Sequence, residues 1–391
     1  MQNFIAFHRM IIPVLIILVG VISGFAHTVT LPENLVSGNE TVQTVKTDIN
    51  FGEGPAVDSS GNLYFTDRDP SRIWKITPDG NAVVYRNPAN NANGLIFDSE
   101  NRLIVCEKNG LTRVESDSSI TQLLKADTLG SEGPNDLYLT SNGGIFFTSS
   151  VWNSSGRLFY LSSDGNVKTI LSFLGMNYPN GVAYIEEKQL LYLCLTQSNR
   201  VLKYQVNDDM SVWEIGKFCD VGSPDGLAVD NDCNLWIAGT DGGQPGVIVF
   251  DTSGNKLGKI AISGQISVQN CAFGGPGRKI LYITGKTAVY SIKTVIGGRS
   301  TTGNTTSIKK TGKNDLAAGY NHVFKKSNSY IKIWSLDGRY IANYKYQNSN
   351  TETDNTISVP DIIKNRLSYG AYYLDYTTKN SKQRKLFIMS K

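Results

Sequence analysis

Short apolar runs recur along the chain, each answered by a second run across a turn of Gly, Asn, Asp or Ser. Leu227-Ala-Val229, the turn Asp230-Asn-Asp232 and Leu235-Trp-Ile237 form one such unit, the pattern of two strands in a hairpin. Each unit opens on a polar residue just ahead of its first strand: Glu53, Asn93, Asn135, Asn180, Asp225 and Asn270. These leads stand 40, 42, 45, 45 and 45 residues apart. The answering strands are Leu63-Tyr-Phe, Leu103-Ile-Val, Ile145-Phe-Phe, Leu191-Tyr-Leu, Leu235-Trp-Ile and Leu281-Tyr-Ile, and a third strand often follows, as in Arg72-Ile-Trp-Lys-Ile76. A period of that size with three or four strands per unit predicts a blade of a β-propeller. Six units predict an all-β, six-bladed propeller over residues 40–296. A strand around Thr44–Ile49 is available to close the ring against the last blade.

The flanks have different patterns. His8 and Arg9 precede the apolar run Met10–Ala26, which ends on Gly24-Phe-Ala26, so residues 1–26 read as a secretory signal peptide. An uncleaved single-span anchor is the competing reading, although Pro13 and Gly20 interrupt a run already short for a span. No later segment is apolar enough to cross a membrane. Residues 297–316 have the Gly/Ser/Thr composition of a linker. Residues 317–391 resume alternating aromatic and polar positions, which predicts a small antiparallel β-sandwich.

Charge and composition then remove several function classes. The net charge of +4 is concentrated in the tail, where Leu316–Lys391 carries twelve basic against five acidic residues. The propeller is acidic, which argues against nucleic acid as a partner. Of the three histidines, His8, His27 and His322, none lies in the propeller. A Ser-His-Asp triad, a His-liganded zinc and a His general base are therefore absent from it. No Gly-x-Ser-x-Gly elbow occurs there either. The cysteines, Cys106, Cys194, Cys219, Cys233 and Cys271, lack close metal-like spacing. They fit buried thiols better than a disulfide framework, with one pair still open.

What remains is the ring of leads. In a propeller the innermost strand of each blade lines the central channel, so its first residue faces the channel mouth. The ring holds one Glu, one Asp and four Asn. Turn-making Asn and Asp would explain most of it. Glu53, however, is a poor turn former, and a ring of oxygens suits a hard cation.

Over Phe51–Ile292 the chain resembles the senescence marker protein/gluconolactonase/luciferin-regenerating-enzyme family. The segments that carry the resemblance are "GEGPAVDSSGNLYFTD" (52–67), "NANGLIFDSENRLIVCE" (91–107), "GPNDLYLTSNGGIFFT" (133–148), "YPNGVAY" (178–184), "SPDGLAVDNDCNLWIA" (223–238) and "NCAFGGPGRKILYIT" (270–284). The resemblance implies a six-bladed propeller with one divalent cation in the channel and hydrolysis of sugar lactones. By position, Glu53, Asn180 and Asp225 match the metal ligands, with Asp225 also the catalytic base. Asn135 matches the residue that reaches the substrate or a metal-bound water, Asn93 and Asn270 hold equivalent blade positions as further candidates for substrate contact, and Glu107 keeps an acid the family often shows, either a substrate contact or a surface-turn residue. Calcium is the first expectation for the cation, with zinc, magnesium or manganese as alternatives. Such chemistry needs an electrophile at the carbonyl oxygen and a carboxylate that takes the proton of water, and Asp225 suits the second role. Three positions depart from the family: Ser149-Ser150 replaces a frequent Asp-Pro, Cys194-Leu-Thr196 replaces Ala-Asp-Thr, and Gly133 replaces a basic residue. These put substrate identity in doubt more than the metal.

The tail resembles the C-terminal sorting domain of type IX secretion substrates, through "IKIWSLDGRYI" (331–341), "GAYYLDY" (370–376) and "KQRKLFIMSK" (382–391). That resemblance implies the secretion machinery as a partner, and an extracellular or outer-surface location. A carbohydrate-binding appendage is the alternative, and without a sorting signal the location would be periplasmic. Two function classes follow for the whole: an exported lactone hydrolase, or a noncatalytic propeller whose channel cation is structural.

Overall fold

The computed structural model describes residues 26–129 and 133–300, and four strands beyond them: Ser329–Ser335, Tyr340–Tyr346, Gly370–Thr378 and Ser381–Met389. The chain divides into two units, residues 1–304 and 305–391. In the first, six antiparallel sheets are arranged as the blades of a propeller. Blade 1 runs outward in chain order through Gly52–Val57, Leu63–Asp67, Arg72–Ile76 and Ala82–Arg86. Blades 2 to 5 repeat this order from innermost strands Leu95–Phe97, Leu137–Leu139, Pro179–Ile185 and Leu227–Val229.

Blade 6 has only three strands of its own, Val268–Gly274, Ile280–Gly285 and Val289–Lys293. Its outer strand is Gln43–Lys46 from the start of the chain, with Gln43 opposite Ser291 and Thr44 opposite Tyr290. The first and last parts of the propeller thus close the ring within one sheet, as the sequence predicts. A further strand, Thr28–Val29, extends blade 5 beyond Lys256–Ala261. It is too short to show any alternation and was not expected.

Each second strand is sandwiched between neighbouring blades, which explains why these runs are apolar on both faces. Leu63–Asp67 and Leu103–Glu107 are buried at every position. Trp236 of blade 5 meets Phe273 of blade 6 edge-on, with ring centroids 5.3 Å apart, in the apolar layer between those two blades. All five cysteines are free and buried in such layers. Among the described residues no helix is long and apolar enough to cross a membrane.

The second unit contributes one antiparallel sheet, in the order Tyr340–Tyr346, Ser329–Ser335, Gly370–Thr378, Ser381–Met389. The expected β-sandwich over residues 317–391 falls largely outside the described residues, as do the linker beyond residue 300 and the signal-peptide run through residue 25.

Candidate functional site

Two aspartates in the blade 5 hairpin show how the channel differs from its scaffold. Asp230 ends the inner strand, and its carboxylate accepts four hydrogen bonds: from the Asp232 and Asn234 amides, Asn234 Nδ2 and Trp236 Nε1, at 2.8–3.0 Å. Asp58 and Asp98 do the same work in blades 1 and 2, each accepting from backbone amides two and four residues on. These are the turn-making aspartates of the repeat. Asp225, five residues before Asp230, lies at the other end of the strand, and its Oδ1 is buried without a hydrogen-bond partner.

The leads are held by their neighbours as well as by their own blades. The Gly94 amide donates to the Asn135 carbonyl at 2.9 Å, and the Gly181 amide to the Asp225 carbonyl at 3.1 Å. Buried threonines at or just past the ends of the second strands add further anchors: Thr66 Oγ1 donates to the Asn93 carbonyl, Thr148 Oγ1 to that of Asn180 and Thr196 Oγ1 to that of Pro224, at 2.8–3.0 Å. This close approach explains the glycine after most leads. A Cβ on Gly181 would lie 2.2 Å from the Asp225 carbonyl oxygen, and one on Gly226 would lie 2.0 Å from Asn270 Cγ. Gly181→Ala is therefore expected to cost about 1–3 kcal/mol, as overpacking does. It should also weaken divalent-cation binding by displacing Asp225. Thermal melts and calorimetric cation titration check both.

In blade 3 the glycine position holds Asp136, and this third carboxylate reaches the channel that the lead pattern leaves to Glu53 and Asp225. Its Oδ1 accepts the Leu137 amide at 2.8 Å, and its Oδ2 accepts Asn270 Nδ2 from across the channel at 3.2 Å. Glu53 is buried, and the Gly54 amide donates to its Oε2 at 3.3 Å. Burial raises the Glu53 pKa to about 7, with Arg68 opposing and Asp136 adding to the rise. Burial raises Asp136 to about 6. Asp225 is pushed well above the carboxylate range by burial, then by repulsion from Glu53 and Asp136, against Arg68 and the Asn180 amide. Three acids thus share one desolvated space with a single nearby guanidinium.

The asparagines divide in two. Asn93 Nδ2 donates to Asn135 Oδ1 at 3.0 Å, and Asn135 Nδ2 donates to Tyr178 Oη at 3.3 Å. Asn270 Oδ1 accepts the Cys271 amide at 2.8 Å while its amide group holds Asp136. The side-chain oxygens of Asn135 and Asn270 are thus both engaged by protein donors. Asn180 donates from Nδ2 to Thr196 Oγ1 at 3.2 Å and leaves its Oδ1 buried and unpartnered. Buried oxygens without donors are costly. Asn180 Oδ1 and Asp225 Oδ1, with the Glu53 carboxylate, make a hard-oxygen donor set that fits a divalent cation. Among the described residues no cluster of three or more His, Cys, Asp or Glu gathers in metal-ligating geometry, and this set differs by using an amide as its third member.

Above this centre lies a mouth of about 300 Å³ lined by Arg68, Asn91, Asn93, Lys108, Gly133, Pro134, Asn135, Ser150 and Tyr178. A larger cavity of about 370 Å³ occupies the far half of the channel, lined by all six innermost strands. Asp136 and Asn270 border that far cavity, so their pair forms a floor between the two. Tyr178 adopts a left-handed φ of 48°, and half-exposed Trp152 meets it edge-on at 5.0 Å. Glu107 lies below the mouth. Arg86 reaches its Oε1 at 2.6 Å, Thr112 the same oxygen at 2.5 Å, and Asn90 its Oε2 at 2.9 Å. Asp67, also fourteen residues after its lead, is held in the same way by Arg72 and the Asn50 and Phe51 amides. Two of the departures from the family pattern meet in scaffold contacts here: Ser149 Oγ donates to the Gly133 carbonyl and Ser150 Oγ to that of Pro179, while Thr196, which the family pattern shares, accepts from Asn180.

Residues 51–287 match the family model described as SMP-30/Gluconolactonase/LRE-like region. Pentonolactonase XacC of Haloferax volcanii is 26% identical over 249 residues, which span 62% of this chain and 84% of that protein. Lactonase drp35 of Staphylococcus aureus is 26% identical over 230 residues, 54% of this chain and 70% of that one. The solved structure of a gluconolactonase from Xanthomonas campestris superposes with a TM-score of 0.60 at 25% identity, covering 69% of this chain and 94% of that one.

Proposed function

The chain belongs to the SMP-30/gluconolactonase/LRE-like family, and from that membership we propose that it opens sugar lactones by hydrolysis with one divalent cation, calcium first, held by Glu53, Asn180 and Asp225. The observation that carries this reading is the pair of buried oxygens, Asn180 Oδ1 and Asp225 Oδ1, that no protein donor reaches. When bound there, the cation supplies an electrophile for the lactone carbonyl. Asp225 takes a proton from the attacking water as its oxygen joins the carbonyl carbon. The ring C–O bond then breaks, and the departing alkoxide regains a proton to give the open hydroxy acid. Asn135 and Asn93, already linked to each other, present amide groups at the mouth to orient the ring. Tyr178 walls one side of the mouth, and Trp152 packs edge-on against its ring. Asn270 acts through Asp136, setting the floor beneath the acids, and Glu107 acts as a brace for the rim.

The apolar run at residues 10–26 supports export, and the tail is proposed as an address read by secretion machinery. Neither takes part in the chemistry. The test is acid release from a panel of aldonolactones by the full chain, measured against spontaneous opening. Faster opening of at least one ring supports the reading. A flat panel favours a noncatalytic propeller that binds a ligand in the same mouth.

A further inference from the structure

The second strands of blades 1 and 2 end in parallel pairs, Asp67-Arg68 and Glu107-Lys108. In both, the acid is buried and fully engaged by arginine and other donors below the rim. In both, the cation lines the mouth of the channel. Among the described residues neither Arg68 nor Lys108 has a carboxylate within ion-pair distance, and Arg68 Nε is buried without a hydrogen-bond partner. The Arg68 guanidinium lies 5.5 Å from the centroid of the Phe51 ring, which holds its plane without taking its donors. No carboxylate lines that mouth; its other polar side chains are amides and hydroxyls.

Two cationic side chains therefore face a mouth that offers them no carboxylate. A neutral sugar lactone leaves their charge unused, whereas a ring with one carboxylate remote from its ester satisfies it.

Building on the lactonase reading, we propose that this mouth selects lactones of sugar acids, whose remote carboxylate is received by Lys108 and Arg68. Guanidinium and ammonium donors pair with carboxylates through charge-assisted hydrogen bonds, stronger than those they make to hydroxyls.

The test compares D-glucono-1,4-lactone with D-glucaro-1,4-lactone, which differ only in a terminal hydroxymethyl or carboxylate. On the calcium-loaded full chain, kcat/KM for the acid lactone should be higher by at least about tenfold, the effect of one charge-assisted hydrogen bond. The preference should shrink as salt rises. Lys108→Gln should lower the ratio about threefold or more, mainly through KM, and Lys108→Arg should retain it. A purely structural role for Lys108 would move neither the ratio nor its salt dependence. Calorimetric titration of both rings onto Asp225→Asn gives a readout free of turnover, and adding Lys108→Gln should narrow the difference in affinity. Equal or better turnover of the neutral ring, or a ratio unmoved by Lys108→Gln, overturns the inference alone. Turnover of neither ring also overturns the inference, and the lactonase reading falls with it only when the whole aldonolactone panel is flat.

Discussion

Asp225→Asn should fold, bind its cation more weakly and lose at least about a hundredfold in lactone turnover, the effect of removing a general base. The substitution keeps the volume of the side chain and an oxygen able to coordinate. It removes the capacity to accept the proton of water. The backbone anchors are untouched, because the Asp225 amide donates to the Ala238 carbonyl at 2.9 Å and its carbonyl accepts from Gly181. Removing one of three mutually repelling acids should even raise the melting temperature of the cation-free protein. Asn180→Ala gives the contrast. It deletes an amide oxygen with no other partner, so its deficit should lie in cation affinity and be partly restored by excess cation. The pair is read out by turnover over a range of cation concentrations. Near-parent activity in Asp225→Asn would remove the base from the account.

Stripped of divalent cations, the protein is expected to become less stable as pH rises from about 5 to 8. Glu53 keeps its proton in the folded chain up to about pH 7, above the ordinary glutamate value of 4.5, because burial disfavours its charged form. Between those values the folded state binds more protons than the unfolded state, so raising pH favours unfolding. At about 1.4 kcal/mol per pK unit, Glu53 alone accounts for about 3 kcal/mol. Asp136 and Asp225 are displaced in the same direction. For a domain of this size the loss corresponds to a fall of roughly 5 °C or more in Tm. Calcium should abolish the trend by stabilising the ionised acids. Melts at pH 5 and pH 8, with chelator and with calcium, check it. A chelated protein as stable at pH 8 as at pH 5 would mean that the acids do not share one desolvated space.

The propeller was legible because its unit repeats. Six polar leads ahead of six apolar pairs, 40 to 45 residues apart, locate the innermost strands and the mouth of the channel. Asp225 could be separated from Asp230 by its place before the strand rather than in the turn. Contacts between blades were harder to see, since no single repeat contains them. The glycine after a lead suggests turn chemistry in the sequence, yet in the fold it makes room for the next blade's lead. Once that is clear, Asp136 stands out as the carboxylate occupying a glycine position, Cys271 being the other exception. The Asp67-Arg68 and Glu107-Lys108 pairs were also there to be read, fifteen residues past the leads for the two cations. Glu107 stands fourteen residues past its lead, as Asp67 does, so the two acids are equivalent within the repeat. The short strand Thr28–Val29 carries no pattern at all, because two residues cannot express a period of two.

The most direct measurement follows ring opening as the stripped protein is titrated with calcium, using whichever lactone the panel shows to open fastest. The account predicts background rates in chelator and a rise that saturates as one equivalent of calcium binds. The same titration of Asp225→Asn should stay at least about a hundredfold lower at saturation. Full activity in the stripped protein, with no response to added cation, would contradict it.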